Sequence, residues 1–194
     1  MLHTLIFEVG KLLSHSGSSF HERLQQAVVI IARYFRVEKC SVMIINREDM
    51  TLEVGAATHT EIIGMKRNLS DVTIATRALL DDVPFETDSQ RLSYFVAADT
   101  TTYTSSYSLS LPIKYSDKKL GVLNLADTIG CERLTNEQME EAVELNEQLA
   151  VHLYVAQADA LLEREIKKYE DAVARLIKAD EMKTSLTSFI VHDL

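Results

Sequence analysis

Between Met139 and His192 the chain contains neither proline nor glycine, so this stretch holds no residue that would end a helix. Thr135 and Gln138 stand just before it with the spacing of a capping box, in which each side chain satisfies a backbone amide that the first turn leaves free. The sequence therefore predicts one long helix that begins directly after Thr135. It is the longest predicted element of the chain.

The apolar residues of this helix change their spacing along its length. A first set suits a helix that covers a globular domain: Ala142, Leu145, Leu149, Leu153, Ala156 and Ala160. A second set alternates steps of four and three residues, as in a coiled coil: Leu162, Ile166, Tyr169, Val173 and Leu176. A third set is one residue out of phase with the second, and the change falls beside Asp180: Ala179, Met182, Leu186 and Phe189. These patterns predict a coiled-coil segment followed by a different helical segment.

Two further helices are predicted near the N-terminus and a short one in the middle of the chain. Helical spacing of apolar residues runs over Leu2–Leu13. Ser19 and Glu22 form a second capping box, and the stripe after it is Phe20, Leu24, Ala27, Val28, Ile31 and Phe35. Ser70 is expected to cap a short helix that ends at Leu80.

Between the helices the sequence predicts two β-hairpins. Cys40–Asn46 pairs with Thr51–Thr58, and the alternating residues up to Tyr115 pair with Leu120–Ala126, one face buried and the other polar. Pro112 cannot donate to a strand ladder, which favours an edge or a bulge at that position. Asp81–Ser106 is predicted to be a long irregular loop, a kind of loop that is usually functional. The fold class is α+β, an antiparallel sheet flanked by helices.

Composition and charge exclude several classes of partner. The chain has 20 basic and 29 acidic residues and a formal net charge of −9, so we expect neither nucleic acid nor an anionic membrane as a partner. No apolar run approaches the roughly 20 residues that cross a bilayer. Cys40 and Cys131 form no disulfide framework, and no secretory leader is recognisable, so we expect a cytoplasmic location.

The order of several segments resembles the GAF family. The C-terminal half of that fold is similar to Ser108–Ile113, Lys119–Asp127 and Leu134–Gln138, and its first core strand and mid-domain helix are similar to Val37–Ile45 and Ile74–Pro84. The resemblance covers residues 19–156 and leaves 1–18 as an N-terminal helix. GAF domains are cytoplasmic folds that sense small molecules or other signals and are often dimeric.

By this resemblance the loop 81–106 bounds a ligand pocket, and its aromatic lining candidates are Tyr94, Phe95, Tyr103 and Tyr107. Ordinary packing of these rings in a core or loop stays equally open. The sequence does not identify a cofactor for this chain. A bilin is not expected, because no cysteine stands where bilin-binding members of the family need one. His59 and His152 are expected to be ordinary histidines rather than haem ligands, and the spacing of His3, His15 and His21 predicts no metal site.

The last residues, Met182–Leu194, resemble the start of a histidine-kinase phosphoacceptor helix, in which Met-Lys-Thr leads to a histidine, an acidic residue and a leucine. By this resemblance His192 accepts a phosphoryl group from ATP and Asp193 assists as the neighbouring carboxylate. Residues 157–180 then correspond to a coiled-coil signalling helix, and 181–194 to the beginning of the phosphoacceptor helix.

The two resemblances together imply the input part of a two-component sensor histidine kinase. We expect a homodimer of parallel helices and a response regulator as partner of the intact protein. The sequence carries no nucleotide-binding loop, so ATP is expected to bind to a following domain, and this segment alone is expected not to phosphorylate itself. Because the motif breaks off at Leu194, we expect a boundary inside a longer protein.

Two other functions stay open at this stage. A GAF domain can serve as a dimerisation and interaction module, without a ligand and without phosphotransfer. The same fold also occurs in small methionine-sulfoxide reductases, which need reactive cysteines in loops. Cys131 is alone in its region and Cys40 lies in a predicted strand, where an inert thiol is the usual case.

Overall fold

The computed structural model describes residues 2–15, 17–88, 107–130 and 133–192, without the side chains of 88 and 184–192. The chain divides into two compact units, Met1–Tyr154 and Val155–Leu194. The helices are α1 (Leu2–Leu13), α2 (Phe20–Phe35), α3 (Ile74–Asp81) and α4 (Asn136–His192), with a 3-10 turn at Thr60–Ile62. The strands are β1 (Val37–Asn46), β2 (Thr51–Ala57), β3 (Lys66–Asn68), β4 (Phe85–Asp88), β5 (Tyr107–Tyr115) and β6 (Lys118–Thr128).

The described strands form one antiparallel sheet in the order β3-β2-β1-β6-β5-β4. The long strands β1 and β6 lie at its centre, and each strand of the two predicted hairpins pairs with its predicted partner. Gly121 is required where β6 pairs with β1, because a Cβ atom there would lie 2.0 Å from the carbonyl oxygen of Met43. The predicted α+β fold with an antiparallel sheet and flanking helices is confirmed.

Both faces of the sheet are covered. On one face α1, α2 and the beginning of α4 enclose the larger core, whose fully buried side chains include Leu24, Ile31, Phe35, Leu109, Leu111, Leu123, Leu125, Leu145 and Leu149. On the other face α3 contributes Ala75 and Leu79 to a smaller core with Met43, Leu52, Val54 and Val122. Period-two alternation along the strands sends neighbouring side chains into these two cores.

Both predicted capping boxes are present. The Ser19 hydroxyl accepts a hydrogen bond from the Glu22 amide at 3.2 Å, and the Glu22 carboxylate accepts one from the Ser19 amide at 2.9 Å. Thr135 and Gln138 exchange the same pair of bonds at the start of α4. Of the apolar set predicted to cover the domain, Ala142, Leu145, Leu149 and Leu153 are buried, whereas Ala160 is exposed.

Two expectations about the middle of the chain are wrong. Helix α3 is capped by Thr73 rather than Ser70, because Thr73 and Thr76 satisfy each other's amides, while the Ser70 hydroxyl donates to Asn68. The stretch predicted to be irregular from Asp81 contains β4, which pairs with β5 along the sheet edge. The face of β5 predicted to be polar carries Ser108, Ser110 and Lys114, of which the two serines are buried because α3 packs across them, whereas Lys114 is exposed.

Pro112 lies where the prediction places it, at an interruption of regular pairing. It pairs with Val122 in β6, whereas the pairing of β4 with β5 ends at Ser110. One residue further, the register between β5 and β6 shifts between Ile113 and Lys114. The proline therefore lies beside the irregular end of the hairpin.

The described part of the second unit is helical and runs from Val155 to His192. The large apolar side chains of its 4-3 pattern are exposed, with 71% of Tyr169 and 70% of Leu176 accessible. Within the described part of the chain no helix is both long enough and apolar enough to span a membrane.

Candidate sensory site

A row of small polar side chains crosses the sheet beneath α3. Strand pairing sets Ser110 opposite Asn124, Asn124 opposite Ser41, and Thr87 opposite Ser108, so all of them face the same side. Four of these residues are buried, and Ser41 is half-buried. We call these five residues the polar row.

The polar row is held together by short hydrogen bonds. The Ser110 hydroxyl donates to Asn124 Oδ1 at 2.6 Å, and Asn124 Nδ2 donates to the Ser41 hydroxyl at 3.2 Å. The hydroxyls of Thr87 and Ser108 share a further bond of 2.6 Å. Buried polar groups are tolerated when they are paired in this way, and an unpaired one costs about 1–3 kcal/mol.

Helix α3 provides the cover of the polar row and is fixed at its N-terminal end. The Thr76 side chain is buried and donates to the carbonyl oxygen of Asp71, while the Thr73 hydroxyl accepts from the Thr76 amide at 3.1 Å. The helix packs against β4, β5 and β6. A movement of α3 would therefore change its contacts with the strands that carry the polar row.

The polar row suits binding rather than covalent chemistry. Its members are hydroxyls and one amide, which donate and accept hydrogen bonds but carry no charge at neutral pH. Activation of a serine nucleophile requires an adjacent base, whereas the hydroxyls of Ser108 and Ser110 are hydrogen-bonded to a threonine and an asparagine. A ligand with hydroxyl or amide groups could replace these internal bonds one for one.

Tyr107, one of the predicted pocket aromatics, is buried on the opposite side of β5. Its ring belongs to the larger core with Leu109 and Leu111, and its hydroxyl donates to Glu86 Oε1 at 2.7 Å. Burial and the Glu86 carboxylate raise the pKa of this phenol. Its role as pocket lining stays a prediction. Tyr94, Phe95 and Tyr103 lie outside the described residues.

The predicted phosphoacceptor lies at the end of the described chain. His192 is the last residue of α4, where its backbone is helical, and its side chain is outside the description. Asp193 is also outside the described residues. The roles assigned to these two residues stay predictions.

The described cysteine and histidines carry no reactive or metal-binding arrangement. Burial raises the pKa of the Cys40 thiol well above its usual range, so this residue stays a protonated core side chain. His152 is half-buried in α4, and burial together with the charge of Arg23 lowers its pKa. No cluster of metal-ligating side chains occurs among the residues that the structure describes. Cys131 lies outside them.

One buried ion pair was not foreseen from the sequence. Asp127 has only 2% of its side chain exposed, and its Oδ2 lies 2.7 Å from Nζ of Lys39. Its backbone is left-handed, with φ of 57°, which breaks the regular course of β6. The local signal was the acidic residue directly after a strand pattern, but only the pairing of β1 with β6 brings Lys39 beside it.

Comparison with known proteins identifies this arrangement. The family model described as GAF domain matches residues 19–154, which is more than half of the chain. The chain belongs to the GAF domain family. The GAF domain is a regulatory and sensory module, and the matched residues contain the whole described sheet, α2, α3 and the first part of α4.

Solved GAF domains share the fold at low sequence identity. The GAF domain of a phosphoenolpyruvate-protein phosphotransferase from Acinetobacter is 18% identical, with 80% of this chain and 93% of that chain covered and a TM-score of 0.69. The corresponding domain from Coxiella burnetii is 14% identical, with coverage of 82% and 96% and a TM-score of 0.72. The second GAF domain of DevS from Mycobacterium smegmatis is 18% identical, with coverage of 72% and 96% and a TM-score of 0.57. The curated proteins gave no match.

Proposed function

We propose that this GAF domain is the sensory input module of a cytoplasmic two-component histidine kinase. The observation that carries the proposal is the exposed apolar stripe of α4, which leads along one helix toward His192. A regulatory domain followed by such a helix is suited to pass a state of the domain to a residue near the helix end. In the intact protein, His192 takes the γ-phosphoryl group of ATP from a following domain and passes it to a response regulator.

The stripe supports pairing with a second copy of the chain. The side chains at its 4-3 positions are between 49% and 71% exposed: Leu162, Ile166, Tyr169, Val173 and Leu176. In a parallel, in-register dimer each of them meets its own copy, so the apolar layers match automatically. Full burial of one such aliphatic side chain contributes about 1.5–3 kcal/mol, so the layers of the stripe together, rather than any one of them, offset the entropic cost of association.

Asp180 marks the point where this pairing changes. It is exposed in α4 and follows Leu176 by four residues, so it continues the coiled-coil pattern with a charge. The apolar set that follows is one residue out of phase. We propose that this gives the helices two registers of similar energy, and that the GAF domain selects between them. Asp180→Leu should then favour one register and fix the output.

The signal enters on the α3 face of the sheet in this proposal. The polar row offers hydroxyl and amide groups to a small, uncharged, hydrogen-bonding ligand. The candidate pocket residues Tyr94, Phe95 and Tyr103, which the sequence places between β4 and β5, belong to this part of the proposal. Tyr107, the fourth candidate, lies in the larger core on the other face of the sheet and would line a pocket only from that side.

A second function is favoured by one specific observation. The members of the polar row already satisfy each other, and Tyr107 is packed in the larger core, as in a domain whose interior is filled by its own side chains. Such a GAF domain would dimerise and recruit a partner protein without binding a small molecule. In this case α4 pairs as before, but His192 is not phosphorylated.

Phosphorylation of the protein in a version extended through the ATP-binding domain tests the two functions. With labelled ATP we expect acid-labile phosphate in the wild type and its loss in His192→Gln. His152→Gln changes a histidine of the same helix inside the GAF domain and should keep the label. A well-folded dimer without label at His192 would leave the interaction module as the function.

A further inference from the structure

The tip of the β5–β6 hairpin contacts two helices at once. Its strands end at Tyr115 and Lys118, joined by Ser116 and Asp117, and Ser116 has a left-handed backbone with φ of 52°. Such a backbone is uncommon for a residue other than glycine and marks a tight, defined turn. The hairpin end is therefore a fixed shape rather than a loose connection.

One face of the tip holds the C-terminal end of α3. Lys114 and Lys119 pair across the hairpin and so point to the same face. Lys119 Nζ donates to the carbonyl oxygens of Leu79 and Leu80, with 3.2 Å to Leu80, and Lys114 Nζ lies 2.6 Å from Asp82 Oδ2. Lysines at a helix C-terminus satisfy free carbonyls and favour the negative end of the helix dipole.

The other face of the tip holds α4 at Tyr154. Tyr115 and Lys118 form the next cross-strand pair and so point away from α3. The rings of Tyr115 and Tyr154 are stacked, with 4.5 Å between centroids and 20° between planes, and Lys118 Nζ lies 5.2 Å from the centroid of Tyr154. Stacked rings and a cation over a ring face are both attractive, so Tyr115 and Lys118 hold Tyr154 against the hairpin tip.

We propose that this hairpin tip is the element that couples α3 to α4. Two adjacent cross-strand pairs of the same turn contact α3 on one face and Tyr154 on the other. A shift of either helix therefore displaces the turn and changes its contact with the other helix. Tyr154 is the last residue of the GAF unit before the exposed part of α4. The use of this coupling in signalling rests on the proposed sensory function, whereas the coupling itself requires neither ligand nor phosphate.

Hydrogen exchange of backbone amides in the full chain measures this coupling. Lys119→Met should speed exchange in the last turn of α3 and also, about fivefold, in the turn of α4 around Tyr154. Tyr154→Leu should speed exchange around Tyr154 and also in the last turn of α3, because a coupling free energy between two sites acts in both directions. The double variant should then change each site by less than the product of the single effects.

Matched variants separate coupling from general loosening. Lys66→Met removes an ion-paired lysine from β3 at the far edge of the sheet and should leave exchange near Tyr154 unchanged. Tyr154→Phe keeps the stacked ring and should behave as the wild type. Effects confined to α3 for Lys119→Met and to α4 for Tyr154→Leu would overturn the proposal.

The outcome does not depend on the histidine kinase role. Reciprocal exchange effects without phosphate on His192 would keep the coupling and reject the kinase. Phosphate on His192 with independent exchange effects would keep the kinase and reject the hairpin as coupler.

Discussion

Asn146 of α4 donates a hydrogen bond from Nδ2 to the carbonyl oxygen of Pro112 in β5, at 2.9 Å, in the buried interior of the GAF domain. The bond ties the long helix to the hairpin just beyond the last residue that β4 pairs. Asn146 Oδ1 has no hydrogen-bond partner among the described residues, so the side chain makes this one bond at the expense of a buried acceptor.

Asn146→Ala should lower the free energy of unfolding by about 2 kcal/mol, because the Pro112 carbonyl is left unpaired and a small cavity forms. Chemical denaturation measures this value. Glu144→Ala, at an exposed position of the same helix, should change it by no more than about 0.5 kcal/mol. Equal effects of the two variants would show that the bond does not anchor α4.

Asn124 is the centre of the polar row, and its replacement should disturb two neighbours. Asn124→Ala removes the side chain to which the hydroxyls of Ser110 and Ser41 are hydrogen-bonded, so we expect a loss of about 2–3 kcal/mol in the free energy of unfolding. Asn136→Ala removes an exposed asparagine at the start of α4 and serves as the control. A loss below about 0.5 kcal/mol would mean that water readily replaces the row's internal bonds.

Two glycines should respond in opposite directions to alanine. Gly121→Ala places a Cβ atom 2.0 Å from a backbone oxygen, so we expect a loss of at least about 3 kcal/mol or failure to fold. At Gly10 in α1 the nearest atom is 3.5 Å away, and Gly10→Ala should stabilise the helix by about 0.5–1 kcal/mol. Thermal melting of both variants tests the close approach of β6 to β1.

His152 should make stability depend on pH. Burial, then the charge of Arg23, lowers its pKa, so the folded protein resists the protonated form while the unfolded chain accepts it. The contribution is present above the unfolded value, near pH 6.5, and is lost as the pH falls through the folded value. His152→Gln should flatten the decline in the free energy of unfolding between about pH 7.5 and 5. His3→Gln, at an exposed position of α1, should leave that decline as in the wild type.

Local patterns made most of the fold predictable from the sequence. The capping boxes at Ser19 and Thr135 depend on residues three apart, and the hairpins depend on alternation over a few residues, so both are visible without the fold. Strands β3 and β4 were not predicted from the sequence, because three or four residues at a sheet edge carry too little periodic signal. The cap of α3 was misplaced because Ser70 and Thr73 offer the same chemistry at neighbouring turns.

The candidate site was less predictable, since it depends on cross-strand neighbours. The polar row needs the register of four strands, which brings Asn124 between Ser41 and Ser110. The side of β5 on which Tyr107 lies could have been predicted. Leu109 and Leu111 alternate with polar residues, and continuing this alternation two residues toward the N-terminus places Tyr107 among the core residues. The roles of the hairpin lysines appear only when α3 is in place.

In the proposed mechanism two copies pair through the apolar stripe and place His192 for phosphorylation. Mixing this chain with a longer version that extends through the ATP-binding domain but carries His192→Gln tests this arrangement. We predict acid-labile phosphate on this chain, its loss when the chain carries Ile166→Lys with Val173→Lys, and its retention with Leu161→Lys, at an exposed position off the 4-3 pattern. Mixed dimers that form but leave this chain unlabelled would contradict the claim.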